Sequence, residues 1–365
     1  MRITGAVLER SGAERPYAQS RPFAVSELEL DPPGPGEILV RIEAAGVCHS
    51  DLSVVEGTRP RPLPMLLGHE AAGIVEQSGD GVDFVPGTRV VMTFLPRCGN
   101  CDGCLTDGRL PCEVGSAANG AGTLVGGGIR LHRDADPVHH HLGVSAFATH
   151  AVVSATSVVA VDDDVPAEIA ALLGCAVLTG GGAVINAGRP LPGSTVIVVG
   201  LGGVGMAALL VAIALGHRAI GVDAVASKLD MARELGAELA LEPADAVARS
   251  IRAPVVIEAA GAVRAFETAV ALTAPGGTTV TVGLPAPDAR AAISPLVLTA
   301  EARTIVGSYL GSAVPSRDIP RYVDLWREGR LPLERLVSSR IRLDDIDAAM
   351  DRLADGAELR QLITF

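Results

Sequence analysis

Six cysteines stand at positions 48, 98, 101, 104, 112 and 175, and four of them crowd into fifteen residues. Cys98, Cys101, Cys104 and Cys112 read C-x2-C-x2-C-x7-C, in a stretch where Gly99, Asn100, Gly103 and Gly108 allow tight turns. Four thiolates from one short loop close a tetrahedron around Zn2+ and leave no open position, so such a site is structural. An iron–sulfur cluster also takes four thiolates, but its usual runs are spaced differently. No apolar leader with a small-residue cleavage site precedes the cluster, and in a long acidic chain this favours metal over a disulfide framework.

Cys48 and Cys175 are isolated in sequence, and their surroundings give them meaning: Gly46-Val47-Cys48-His49-Ser50-Asp51, Gly68-His69-Glu70-Ala71-Ala72-Gly73 and Leu173-Gly174-Cys175. Two thiolates and one imidazole make a three-ligand Zn2+ site whose fourth position is free for water or substrate, which is the catalytic arrangement. A third pattern, Gly200-Leu201-Gly202-Gly203-Val204-Gly205, fits G-x-G-x-x-G between an expected strand and an expected helix. Its glycines let the backbone approach a pyrophosphate at a helix N-terminus. Asp223, eighteen residues after Gly205, ends the next strand. There it suits the ribose hydroxyls of a dinucleotide and repels a 2′-phosphate, which favours NAD over NADP.

The elements that must position these groups follow from composition and periodicity. A length of 365 residues predicts two domains, and 48% apolar against 20% charged residues excludes a disordered chain. A net charge of −12 gives no basic face for a nucleic acid. With only 3% aromatics the core must pack on aliphatic residues, as parallel-sheet proteins do. The first ninety residues read as short strands, among them Ile38–Glu43, Gly73–Val75 and Arg89–Met92. Residues 113–142 read as a long surface loop in which His139, His140 and His141 form a solvated cluster. From Leu173 the texture becomes strand, glycine turn and helix: strands at 195–199, 219–222, 255–257 and 278–282, helices at 204–215 and 227–235. That alternation predicts an α/β, doubly wound parallel sheet of the Rossmann kind. Ile346, Met350 and Leu353 mark one face of a short C-terminal helix. The segment Pro190–Gly216 is uncharged but broken by glycines, so no membrane span is expected and the protein reads as cytoplasmic.

Taken together, G-H-E-x2-G, the four-cysteine loop and G-x-G-x-x-G after Cys175 resemble the zinc-containing medium-chain alcohol dehydrogenases over nearly the full chain. The resemblance implies a mainly β, GroES-like catalytic domain at 1–176 and 311–365, carrying the structural zinc lobe, and an NAD-binding Rossmann domain at 177–310. It implies a catalytic zinc on Cys48, His69 and Cys175, Glu70 behind the metal, and Asp51 as partner of His69. By the same similarity Ser50 takes the alcohol proton, His49 stands near the pyrophosphate and Thr179 beside the nicotinamide. Lys228 joins Asp223 on the adenosine ribose, Arg360 is a phosphate ligand, and Phe94 lines the substrate pocket. The implied reaction is reversible hydride transfer between a primary or secondary alcohol, or its aldehyde or ketone, and NAD, with two Zn2+ per chain. Ser53 departs from the pattern, because many members have there a histidine that finishes a proton relay. The 63-residue gap from Cys112 to Cys175 resembles the longer-loop, dimeric branch, so a homodimer is expected, with neither nucleic acid nor membrane as partner. Two other readings keep the same residues: a glutathione- or mycothiol-dependent formaldehyde dehydrogenase, and a non-catalytic zinc-stabilised binding protein.

Overall fold

A computed structural model describes residues 1–356 and 358–365. It divides into two compact units, one of residues 1–106, 111–175 and 337–365, the other of residues 107–110 and 176–336. The return to the first unit falls at 337 rather than at the 311 read from the sequence. The reason lies in the helix Pro315–Arg327, whose buried Tyr322 faces Gly181 and whose Asp318 accepts a hydrogen bond from Asn186 Nδ2 at 3.1 Å, all within the second unit.

In the first unit the strands Arg2–Leu8, Phe23–Leu30, Leu131–Arg133, Asp136–His140 and Met65–Leu66 close a small barrel. A second, mainly antiparallel sheet is built on the long strand Glu37–Val47, flanked by Ala71–Ser78 and Arg360–Thr364. Ile38, Val40 and Ile42 point into one hydrophobic cluster and Leu39 into another, so the strand is buried on both faces along most of its length and only Arg41 is exposed. This sheet carries both flanks of the metal-binding cluster: Cys48 follows the long strand directly, and His69 and Glu70 precede Ala71–Ser78. The helix Ile346–Ala354 buries Ile346, Met350 and Leu353 as expected.

Residues 113–142 differ from the expected loop. They form the helix Glu113–Ala121 and the strands Leu131–Arg133 and Asp136–His140, with His140 and His141 each 1% exposed. Periodicity is hard to see in strands of three and five residues, which is why the sequence read as loop.

The second unit is a six-stranded sheet, parallel at every pair, in the order Leu239–Leu241, Arg218–Val222, Thr195–Val199, Ala253–Glu258, Thr273–Thr281 and Thr304–Gly307. This is the doubly wound order, and ligands bind such sheets outside the carboxyl ends of the central strands, where the order reverses. Thr195–Val199 is central, and the turn after it opens the helix Gly203–Ala214, which is buried on nearly every side. Pro190–Gly216 is thus strand, turn and core helix. Among the described residues the one helical run long and apolar enough to cross a bilayer is Ala167–Gly188, with 83% of its window buried in the protein.

Candidate active site

Cys48 is the N-cap of the seven-residue helix His49–Val55, and its position is set by Asp51. The Cys48 amide donates to Asp51 Oδ2 at 3.1 Å, the Gly68 amide to Oδ1 at 3.2 Å, and His69 Nδ1 stands 3.0 Å from Oδ1. One fully buried carboxylate therefore ties the segments carrying Cys48 and His69 together. Burial works to raise the Asp51 carboxyl, but the neighbouring imidazoles of His69 and His141 outweigh it and hold it at about 2.

With Nδ1 committed to Asp51, His69 has only Nε2 left for a ligand, and that atom is buried with no hydrogen-bond partner among the described residues. Cys175 comes from the π-helical turn Leu173–Val177 that follows the helix Ala167–Leu172. π turns recur at functional sites because the extra residue re-aims a side chain. The ligand atoms of Cys48, His69 and Cys175 all lie within 4.8 Å of one another, and each residue is buried. The Cys175 thiol donates toward Cys48, so Cys48 is shifted down and Cys175 up. Two buried sulfurs sharing a proton beside an orphaned imidazole nitrogen match what a soft divalent cation would satisfy.

Glu70 lies behind this cluster, fully buried, and burial pushes its carboxyl up to about 7 against the pull of Arg360. Arg360 is placed otherwise than the phosphate ligand expected from the sequence. It is 2% exposed, with Nε 3.5 Å from Glu70 Oε1 and Nη1 donating to the Val47 carbonyl at 3.4 Å. A buried carboxylate needs a counter-charge, and this guanidinium supplies it. Phe94 presents its ring edge-on to His69, with centroids 5.6 Å apart. Ser50 is half-buried and His49 exposed on the first turn of their helix, while Ser53 Oγ donates to the His49 carbonyl at 2.8 Å.

In the cysteine lobe the four ligand sulfurs also lie within 4.8 Å of one another, with Cys98–Cys104 and Cys101–Cys112 both at 3.9 Å. A tetrahedron with Zn–S bonds of about 2.3 Å has edges of about 3.8 Å, so the lobe has the dimensions of a closed zinc site. The amides of Cys98 and Gly115 donate to Cys112 Sγ at 3.4 Å each, as expected around a thiolate.

In the second unit the glycine turn shows why its residues are small. A Cβ on Gly205 would come within 1.8 Å of the Gly200 carbonyl, whereas the space over Gly202 is open, as an approaching phosphate requires. Gly203 and Val204 begin the helix. Asp223 is anchored to the turn, its Oδ2 accepting from the Leu201 amide at 2.6 Å and its Oδ1 from the Val225 amide at 2.9 Å. Lys228 is half-buried on the helix Ala226–Glu234. Thr179 lies in the short helix Leu178–Gly182, which packs so closely on the start of Gly203–Ala214 that a Cβ on Gly180 would be 2.3 Å from the Val204 carbonyl.

Sequence reasoning missed three participants: the π turn under Cys175, the Arg360–Glu70 pairing, and His141, whose Nδ1 lies 3.2 Å from Asp51 Oδ1. The run of three histidines was the only signal for the last.

A buried cluster of two cysteines and one histidine, a four-cysteine lobe and a doubly wound sheet with a phosphate-accepting turn define a zinc-dependent, dinucleotide-dependent dehydrogenase. Residues 34–163 match the alcohol dehydrogenase GroES-like domain, and residues 203–328 match the zinc-binding dehydrogenase family. The chain is 39% identical to geraniol dehydrogenase of Castellaniella defragrans, over 94% of this chain and 95% of that one. It is 36% identical to the NDMA-dependent alcohol dehydrogenase of Amycolatopsis methanolica, over 100% and 99%. The crystal structure of benzyl alcohol dehydrogenase from Acinetobacter calcoaceticus superposes with a TM-score of 0.91 at 32% identity, covering 100% of this chain and 99% of the other. The chain belongs to the zinc-containing medium-chain alcohol dehydrogenases, enzymes of alcohol and aldehyde oxidoreduction.

Proposed function

We propose that this enzyme transfers hydride reversibly between a primary or secondary alcohol and NAD, with two Zn2+ per chain. The observation that carries the reading is the buried Cys48–His69–Cys175 cluster with its unpartnered His69 Nε2. When bound, zinc supplies a Lewis acid that makes a hydroxyl more acidic, and NAD supplies the hydride acceptor. The chain's own residues do the rest. Asp51 fixes the His69 tautomer, Arg360 offsets the charge of Glu70, Phe94 helps to exclude water, and Ser50 moves the alcohol proton. Gly200, Gly202, Gly203, Val204 and Gly205 would take the pyrophosphate, Asp223 and Lys228 the adenosine ribose, and Thr179 the nicotinamide side.

Turnover of geraniol, benzyl alcohol and short alcohols with NAD or NADP, with and without glutathione or mycothiol, tests this reading. NAD-linked oxidation without added thiol is expected. Oxidation of formaldehyde alone, and only with a thiol, would replace the reading with the thiol-adduct one; binding of metal and NAD without any turnover would make the protein a binding module.

The cofactor preference is expected to rest on charge at Asp223. Asp223→Asn keeps an oxygen at the turn and removes the negative charge, so the preference for NAD over NADP, measured as the ratio of kcat/KM values, should narrow about 10- to 100-fold, equivalent to about 1.4–2.8 kcal/mol. A ratio unmoved by the substitution would assign the preference elsewhere.

Metal content provides a further expectation. The intact enzyme should yield about two zinc ions per chain, and Cys104→Ser should lose one of them with a clear fall in melting temperature. A single metal in protein purified without chelators would remove the structural site from the scheme.

A homodimer and a cytosolic setting complete the proposal. Thr304–Gly307 ends the parallel sheet with one paired side, and Ile293, Leu296 and Leu284 nearby in sequence are exposed. Such an edge invites pairing with a second copy. Six cysteines free of disulfides suit a reducing compartment.

A further inference from the structure

His141 has no part in the proposed reaction beyond its charge on Asp51, yet it is 1% exposed and stands beside the metal-binding cluster. Its two sequence neighbours have other fates. His139 is half-buried. His140 is an internally satisfied histidine, with Nε2 accepting from the Arg130 amide at 3.1 Å and Nδ1 3.3 Å from Ser145 Oγ.

The backbone holds His141 in place independently of its ring. Its amide is shared between the Leu66 carbonyl at 3.3 Å and Ser145 Oγ at 3.0 Å, and its carbonyl accepts from Val144 and Ser145 at 3.1 and 3.3 Å. Leu142 and Ser145 sit at φ +51° and +53°, conformations that non-glycine residues seldom adopt unless the surroundings enforce them. The turn aims the imidazole at Asp51: Nδ1 is 3.2 Å from Oδ1, at ion-pair distance but outside hydrogen-bond geometry, and among the described residues it makes no hydrogen bond. The ring stands edge-on to His69 with centroids 5.6 Å apart, the same separation as Phe94. If ring volume alone were needed here, a second phenyl would fill the place without the cost of burying an unpaired nitrogen.

We propose that His141 is a positioning residue for the catalytic metal, keeping its Nδ1 proton on Asp51 so that the carboxylate stays fixed on His69 Nδ1 and His69 Nε2 stays aimed at the metal. Asp51 then has a partner on each side: His69, Gly68 and His141 around Oδ1, and the Cys48 amide on Oδ2. Partners of this kind set ligand orientation, and their loss typically weakens metal binding about 10- to 100-fold. The proposal rests on the Cys48–His69–Cys175 reading of the metal site.

Two variants of the zinc-loaded enzyme separate the donor from the ring. His141→Phe keeps the volume and removes the nitrogens; His141→Asn offers an amide nitrogen close to the Nδ1 position. The readouts are the rate at which each zinc passes to a chromophoric chelator, and the visible spectrum after cobalt replaces the catalytic metal. One zinc should leave His141→Phe about 10- to 100-fold faster, with an altered cobalt spectrum. The second zinc should leave at the wild-type rate, and His141→Asn should lie near wild type in both readouts. Wild-type release from His141→Phe would overturn the proposal, as would an Asn variant as leaky as Phe, or equal acceleration of both metals. A wild-type enzyme that yields only one zinc would instead break the underlying metal reading.

Discussion

Cys175→Ser is expected to abolish turnover while leaving the protein folded. Serine is nearly isosteric, but its hydroxyl does not ionise near neutral pH, so the cluster loses one of its two thiolates and with it most of its affinity for zinc. The Lewis acid is worth several kcal/mol to the reaction, which at 1.36 kcal/mol per tenfold corresponds to a loss of about 10³-fold or more in kcat. The cost in stability should be small, about 1–3 kcal/mol for one buried hydroxyl with reduced partners. Cys175 lies in a helical run whose neighbours Leu172, Leu173, Ala176 and Val177 are all fully buried, and that packing does not depend on the sulfur. Metal analysis, kcat and thermal melting on the same preparation check this. One zinc retained, turnover lost and melting little changed is the expected pattern, and it is the reverse of Cys104→Ser in stability. A serine variant that keeps both metals and its rate would show that the catalytic metal is held elsewhere.

The contrast between these two cysteines also shows what the sequence makes legible. Cys98, Cys101, Cys104 and Cys112 are close in sequence, so their spacing alone prescribes the tight cluster of four sulfurs that the structure holds. Thr195–Val199, the glycine turn and Asp223 were equally legible, because a buried strand, a forced turn and a charge at the next strand's end are local patterns with one physical solution. What stayed hidden depends on long-range approach. Arg360 reaches Glu70 across 290 positions of sequence, and His141 reaches Asp51 across 90, through a barrel whose strands are too short to show a period. The second domain crossing was displaced for the same reason. The helix Pro315–Arg327 stays with the parallel-sheet unit because Tyr322 and Asp318 find their partners there, which no local pattern announces.

Ser50→Ala carries the second large expected effect, and here the structure sharpens what the sequence left open. Oxidation of an alcohol must release a proton in a site shielded from bulk water, and Ser50, two residues beyond Cys48, is the hydroxyl that the motif assigns to that transfer. General acid–base help of this kind is worth about 10²–10⁴-fold, so kcat should fall by that factor while zinc content and NAD affinity stay at wild-type values. Ser50→Thr keeps a hydroxyl and should keep activity. Beyond Ser50 the path divides between Ser53 and His49. Ser53 Oγ already donates its proton to the His49 carbonyl one turn back at 2.8 Å, so its hydrogen is committed to the backbone and it is a poor relay member. His49 is exposed on the first helical turn, where its ring can exchange protons with water. Ser53→Ala should therefore change kcat little, whereas His49→Gln should slow oxidation chiefly on the acid side of neutrality, where release to water is hardest. The decisive measurement is kcat from pH 6 to 9 with deuterated alcohol, so that hydride transfer is known to limit the rate. A Ser50→Ala enzyme that oxidised alcohol at the wild-type rate under those conditions would exclude Ser50 from the path, and a Ser53→Ala enzyme as slow as Ser50→Ala would return the relay to the position where relatives carry histidine.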